Sequence, residues 1–158
     1  MKIELEAIAF VANERTAQED DKWGCVVSTI QLAENIPTEA LDGVDAFSHL
    51  EVLFYMNNVP DEKAIARTRH PRNLETLPRI GIYAQRNKSR PNKLGLTTVE
   101  FVSRVGRSLI VKRLDAINGT PVLDIKPVMK GFEPKSEIIE PAWTEVIMES
   151  YWYCNEDK

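Results

Sequence analysis

The stretch Ile80-Gly81-Ile82-Tyr83-Ala84-Gln85-Arg86-Asn87-Lys88-Ser89-Arg90-Pro91-Asn92-Lys93-Leu94-Gly95-Leu96 holds the densest set of side chains able to do chemistry. Arg86 and Arg90 stand four apart where a strand runs out into a loop, and Pro91 stiffens the turn that follows. Guanidinium forks donate paired, planar hydrogen bonds, so they suit carboxylates and phosphates. The seven glycines (Gly24, Gly43, Gly81, Gly95, Gly106, Gly119, Gly131) contain no G-x-G pair. Neither a dinucleotide-binding fingerprint nor a P-loop is therefore encoded, and a cofactor carrying adenosine must be held another way. Cys25, Cys154, His49 and His70 are the soft metal ligands, and no two of them have a ligand spacing. No metal site is predicted. The two cysteines, at opposite ends of the chain, are expected to be reduced thiols in a reducing, cytoplasmic compartment.

Charge adds a second signal. The net charge of −4 taken alone argues against a nucleic-acid partner. Its distribution argues the other way. Nine of the twenty basic residues lie between Lys63 and Lys93, opposed there by Glu75 alone. A phosphate-rich partner drawn to Arg67, Arg69 and Arg72 would be delivered beside Arg86, Arg90 and Asn92. A merely solvated, charged loop is the competing reading.

The elements that must position these residues are mostly strands. At 158 residues the chain is read as a single domain, and 43% hydrophobic with 28% charged residues is ordinary for a packed globule. Lys2, Glu4 and Glu6 stand where the apolar core of a signal peptide would begin, so none is expected. The apolar runs are too short to span a bilayer. Strands are predicted over 3–11, 25–32, 50–56, 80–84, 95–105, 108–117 and 120–125. Thr38 is a candidate N-cap in a turn of helix. Residues 61–79 lack periodicity and read as a long basic linker. Gly106-Arg107 and Asn118-Gly119 are turn signals. Ala142, Trp143, Val146, Ile147, Ser150 and Tyr151 fall at helical spacing behind Pro141, which predicts a C-terminal helix over about 141–153. Short strands between turns with one or two short helices predict a mainly β, α+β fold, a small antiparallel β-barrel.

Three ordered strings make the reading more specific. The first is Arg86-Asn87-Lys88-Ser89-Arg90-Pro91-Asn92-Lys93-Leu94-Gly95, which resembles the R-x-x-x-R-P-N-x-[IL]-G signature of the tRNA methyltransferase O family, also called TsaA-like proteins. Phe47-Ser48-His49-Leu50 is similar to that family's F-S-H-[LI] string. Asn118-Gly119-Thr120-Pro121-Val122-Leu123-Asp124-Ile125-Lys126-Pro127 is similar to its D-G-T-P-x-x-D-I-K-P hairpin. The resemblance runs from about Ile8 to Pro127. Lys93 stands where the family usually has proline, and Asn118 where it usually has aspartate. Longer bacterial members carry a C-terminal extension that helps hold tRNA. Here the chain is expected to lack it, ending instead on Trp143, Tyr151, Trp152 and Tyr153.

The resemblance implies a TsaA-like barrel that binds S-adenosylmethionine, assembles as a homodimer, and methylates threonylcarbamoyladenosine beside the anticodon of tRNA. By position, it places the methyl donor against Glu19, Asp20 and Asp21, against Asn57 and Asn58, against Arg86 with Leu96, and against Lys112, Arg113, Leu114 and Asp115. Asp124, Lys126 and His49 are the candidates for a catalytic group. Each has a plain structural reading too, since Asp124 and Lys126 share a strand face and can pair there. Methyl transfer asks for one proton acceptor and for positioning. The rival from another class is a barrel that binds S-adenosylmethionine or RNA without chemistry. The aromatic tail is expected to pack as a helix on the barrel, and its apolar surface is a candidate subunit contact.

Overall fold

The computed structural model describes residues 1–154. Its strands are β1 (Ala9–Ala12), β2 (Val27–Leu32), β3 (His49–Tyr55), β4 (Thr68–Arg69), β5 (Ile80–Gly81), β6 (Leu94–Val105), β7 (Ser108–Lys112) and β8 (Pro121–Pro127). Six of them close an antiparallel barrel in the order β1-β2-β7-β6-β3-β8, while β4 and β5 form a separate two-stranded sheet. The expected β-barrel is the fold of this chain. Alternation decides which side chains face in. Ala9 and Val11, Ile30 and Leu32, Leu50, Val52 and Phe54, Val99, Leu109 and Val111, and Val122 make one buried cluster. Each such side chain removed from water is worth about 1.5–3 kcal/mol. Closure also leaves these six strands without a free edge.

The β6–β7 hairpin turns on Gly106-Arg107 as expected, with Gly106 at φ +58 and Val105 paired to Ser108. Arg107 then reaches back, its guanidinium donating to the carbonyls of Ala33 and Ile36. The Asn118-Gly119 turn behaves differently. β7 and β8 are not neighbours: β8 pairs with β1 and β3, so residues 113–120 cross the end of the barrel. The β7 strand stops at Lys112 rather than 117, because Arg113 takes a φ of +66 and turns the chain inward onto the fully buried Leu114.

Several boundaries differ from the sequence pattern. The first strand is the short Ala9–Ala12, and residues 1–6 lie exposed. The 80–84 strand is two residues of β5 followed by a 3-10 turn, Ile82–Ala84. Thr38 opens a 3-10 turn with Pro37 in the cap position; its hydroxyl instead accepts from Arg107 Nη1 at 3.3 Å. The basic stretch contains 3-10 turns at Asp61–Lys63 and Pro71–Asn73 and the strand β4. It is organised by polar contacts rather than periodicity. Buried Gln85 donates to the carbonyls of both Arg69 and Ile80. The C-terminal helix α1 spans Trp143–Met148, six residues rather than thirteen, so Trp143 rather than Pro141 is its first helical residue, with Ala142 at the cap.

The cysteine expectation is overturned. Cys25 and Cys154 are joined as a disulfide, with Cα atoms 5.2 Å apart across 129 residues of sequence. Separation along the chain hid this pairing, because only the return of the tail to the start of β2 brings the two thiols together.

Gly95 lies directly opposite Phe54 on β3, and a Cβ there would sit 2.3 Å from the phenyl ring. That ring is buried, so it has little room to yield. Gly95→Ala is expected to destabilise the fold by about 1–3 kcal/mol, read as a lower urea midpoint at unchanged slope.

Candidate functional site

At one end of the barrel a cleft of about 880 Å³ opens where several stretches of chain meet. Its size falls within the ~300–1,000 Å³ common for small-molecule sites. The first wall is the loop after β5. Lys93 N–H donates to Arg90 O at 2.9 Å, closing a turn with Pro91 inside it, and Asn87 Oδ1 accepts from Ser89 N–H. Arg90 Nη1 donates to Gln85 O at 3.1 Å, tying the loop's two ends. Arg86 donates to the carbonyl of Leu96. Lys93 has a φ of +50 and donates its N–H, neither of which a proline can do. Its departure from the family pattern is thus a different local backbone. The Lys93 ammonium is buried, donates to the exposed carboxylate of Asp61 and is held protonated above the ordinary lysine range chiefly by that bond.

The second wall is the end of β3, where Asn57 and Asn58 follow Met56, whose N–H donates to Lys93 O at 2.9 Å. The third is the loop before β2. Asn13 organises it, donating to Ser28 Oγ and Ala116 O and accepting from Arg15 N–H. Arg15 lies over the Trp23 ring at 4.2 Å and donates to the carbonyls of Asp21 and Lys22. The irregular acidic stretch is therefore built around one arginine.

The fourth wall is the crossing segment, with Asp115, Ala116, Ile117 and Thr120. Thr97 and Tyr151 hydroxyls both donate to the Asp115 carboxylate, one to each oxygen. Burial, reinforced by the Asp115 charge, pushes the Tyr151 phenol far above the ordinary range. The fifth wall is the C-terminal strap, contributing Trp143, Ile147, Met148, Tyr151 and Trp152.

Of the residues aligned to the methyl donor, Glu19, Asp20, Asn57, Asn58, Arg86, Leu96 and Asp115 line this cleft. Asp21 instead forms a bidentate pair with Arg72 at 2.7 and 3.1 Å. Leu114 is in the core, Lys112 ends β7, and Arg113 lies over the Trp152 ring at 5.0 Å. Among the residues expected to meet substrate, Arg69, Arg72, Arg90 and Asn92 line the cleft and Arg67 does not. Arg69 Nε is buried without a hydrogen-bond partner. The candidate catalytic groups lie elsewhere. Lys126 and Asp124 form an exposed pair at 2.7 Å, which holds the Lys126 ammonium above its usual range, and His49 Nδ1 sits 2.8 Å from Ser48 Oγ on the barrel wall.

Sequence reasoning missed Thr97, Trp23, Phe54 and the strap as cleft residues. The strap's helical spacing pointed to core packing, and nothing local signals that Tyr151 meets a carboxylate thirty-six residues earlier. Three of the nine clustered basic charges are already matched: Arg72 by Asp21, Lys88 by Asp20 at 3.6 Å, and Lys93 by Asp61. Only the tertiary fold brings this acidic loop against the basic one.

The folded chain keeps the Tyr151 proton above pH 10, where the unfolded chain releases it. This group's contribution is thus fully present below pH 10 and lost as pH rises further. Tyr151→Phe should make the fall in urea midpoint between pH 9 and 11 shallower than in the parent. Equal slopes for both proteins would contradict this.

Comparison with known proteins bears directly on this arrangement. A family model for the tRNA-methyltransferase O N-terminal domain matches residues 10–133. A tRNA (adenine(37)-N6)-methyltransferase of Escherichia coli is 39% identical over 95 residues, covering 58% of this chain and 40% of the relative. A "probable S-adenosyl-L-methionine-binding protein" of Methanothermobacter thermautotrophicus is 38% identical over 95 residues, covering 60% of this chain and 65% of the relative. The matches thus span less than two thirds of each relative's length. A crystal structure of TrmO from Pseudomonas aeruginosa superposes with a TM-score of 0.68 at 22% identity, over 87% of this chain and 61% of that one, a likeness of fold. With its three motifs gathered on one barrel and the family match running over most of its length, the chain belongs to the tRNA-methyltransferase O N-terminal domain family.

Proposed function

We propose that this chain is an S-adenosylmethionine-dependent methyltransferase that N-methylates threonylcarbamoyladenosine next to the anticodon of tRNA. The observation that carries the reading is the convergence of Arg86, Leu96, Asn57, Asn58, Glu19, Asp20 and Asp115 on one cleft. The residues present fit such a donor. Phe54, Met56, Leu96 and Trp152 offer apolar and aromatic surface, the asparagines and main chain offer hydrogen bonds, and the carboxylates suit a cationic sulfonium. The family and the names of its relatives add support of a different kind.

When bound, the sulfonium supplies an already activated methyl group. The chain's own task is then positioning and exclusion of water, which contributes up to roughly 7–11 kcal/mol. Arg86 fixes the Leu96 carbonyl, and Thr97 with Tyr151 fixes Asp115, so two sides of the cleft are preorganised. Since Asp124, Lys126 and His49 do not line the cleft, Glu19 and Asp20 are better placed to pass the proton from the attacking nitrogen to solvent. The non-catalytic alternative predicts donor binding without turnover.

The chain acts as one barrel unit in the cytoplasm. Among the described residues no helix is long and apolar enough to cross a membrane, and no three His, Cys, Asp or Glu side chains are grouped as metal ligands. The protein works as a homodimer. Tyr151 and Trp152 are already engaged within their own chain, so the exposed Phe132, Ile138 and Ile139 are the better candidates for the contact.

Incubation with S-adenosylmethionine and tRNA carrying or lacking threonylcarbamoyladenosine, followed by nucleoside mass spectrometry, tests the reaction. A methylated product from the modified tRNA alone is expected. Arg86→Ala should weaken donor binding about tenfold by calorimetry, some 1.4 kcal/mol. Arg67 is the clean probe of the tRNA surface, being exposed and without an ion pair among the described residues. Arg67→Ala should weaken tRNA binding and reduce its salt slope with donor affinity unchanged. Arg72→Ala should weaken both, because it releases Asp21 and with it the donor loop.

A further inference from the structure

We propose that the C-terminal strap is a thiol-controlled wall of the donor cleft, latched by the Cys25–Cys154 disulfide. The inference rests on reading the cleft as the methyl-donor site.

The strap does not fill the cleft; it bounds it. Tyr151 and Trp152 line the cavity, and the space remains about 880 Å³ with them in place. Three kinds of contact hold the strap. Lys22 N–H donates to Ser150 O at 3.0 Å and Trp23 N–H to Tyr151 O at 2.9 Å, so the strap docks along the chain entering β2. The Tyr151 hydroxyl donates to Asp115. Trp152 lies under the Arg113 guanidinium, and its carbonyl comes so close to Gly24 that a Cβ there would be 2.0 Å away. The disulfide follows directly on these contacts and pins Cys154 to Cys25.

Little else does. Helix α1 is six residues long, below the length at which a helix stands alone. Its strap is tethered at Pro127 through an irregular stretch with exposed Phe132, Ile138 and Ile139. Apart from the disulfide, these twelve residues are held by two main-chain bonds, one hydroxyl contact and the guanidinium groups of Arg72 and Arg113 over the Tyr151 and Trp152 rings. Such contacts are modest against the entropy of ordering them. Disulfides that persist in reducing compartments are chiefly transient or redox-sensing, and this one is located where its loss has a defined consequence. A dithiol reductant breaks the S–S bond, delivers two electrons and two protons to give two thiols, and closes to its own disulfide. The strap then leaves, Tyr151 releases Asp115, and one wall of the cleft opens to water.

The test uses the full chain, oxidised or treated with dithiothreitol, and the Cys25→Ser/Cys154→Ser variant. Calorimetry reads S-adenosylmethionine affinity, and hydrogen exchange reads the Lys22 and Trp23 amides. Reduction is expected to weaken donor binding about tenfold and to lower protection of both amides. The double variant should match the reduced protein and ignore dithiothreitol. Equal donor affinity in the oxidised and reduced protein would overturn the proposal, whether or not the variant folds. Absence of donor binding in both forms would sink the donor reading instead and leave the amides to decide the latch: protection lost on reduction supports it, and protection unchanged overturns it.

Discussion

Barrel closure depends on β8, which is inserted between β1 and β3 rather than beside β7, its predecessor in the chain. A strand in that position must be reached from the far side, so residues 113–120 have to cross the barrel's end. The positive φ at Arg113 starts the crossing and that at Gly119 finishes it. Asp115, Ala116, Ile117 and Thr120 are carried into the cleft as a result. Leu114, fully buried between them, anchors the crossing to the core. The site is thus a consequence of how the sheet closes, and core packing and site geometry share the same backbone.

The cleft is organised by polar side chains that satisfy main-chain groups in loops, a solution suited to segments with no ladder partners. Asn13, Arg15, Gln85, Arg86 and Arg90 each fix a loop backbone around it. Three of these are arginines, so part of the chain's positive charge is structural. Fixed donors and a fixed Asp115 cost no reorganisation when a ligand enters, which is what a positioning mechanism requires.

The strap adds an element of lower stability to this rigid frame. It contributes aromatic surface to the cleft through contacts that are few and mostly polar, with one covalent tie. Regions of this kind are where local opening concentrates. A barrel with a rigid polar side and a detachable wall can vary access to its cleft without altering its core.

How much of this was legible in the sequence differs from element to element. Alternation in Leu50-Glu51-Val52-Leu53-Phe54 and around the Gly106-Arg107 turn determined the β3 strand and the β6–β7 hairpin, since side-chain period and turn chemistry are local. The Arg86–Gly95 string, the Phe47–Leu50 string and the Asn118–Pro127 string determined the family, and with it most of the cleft's polar lining. Tertiary structure alone decided the rest. Pairing of Asp21 with Arg72, Thr97 and Tyr151 with Asp115, and Cys25 with Cys154 joins residues between 18 and 129 positions apart. Such contacts leave no periodic trace, because they are set by where strands run in space. The two thiols read as unrelated from either end of the chain, and the aromatic tail read as a helix packing on the barrel. Closure of the sheet, with the return of the tail to β2, made one a latch and the other a wall.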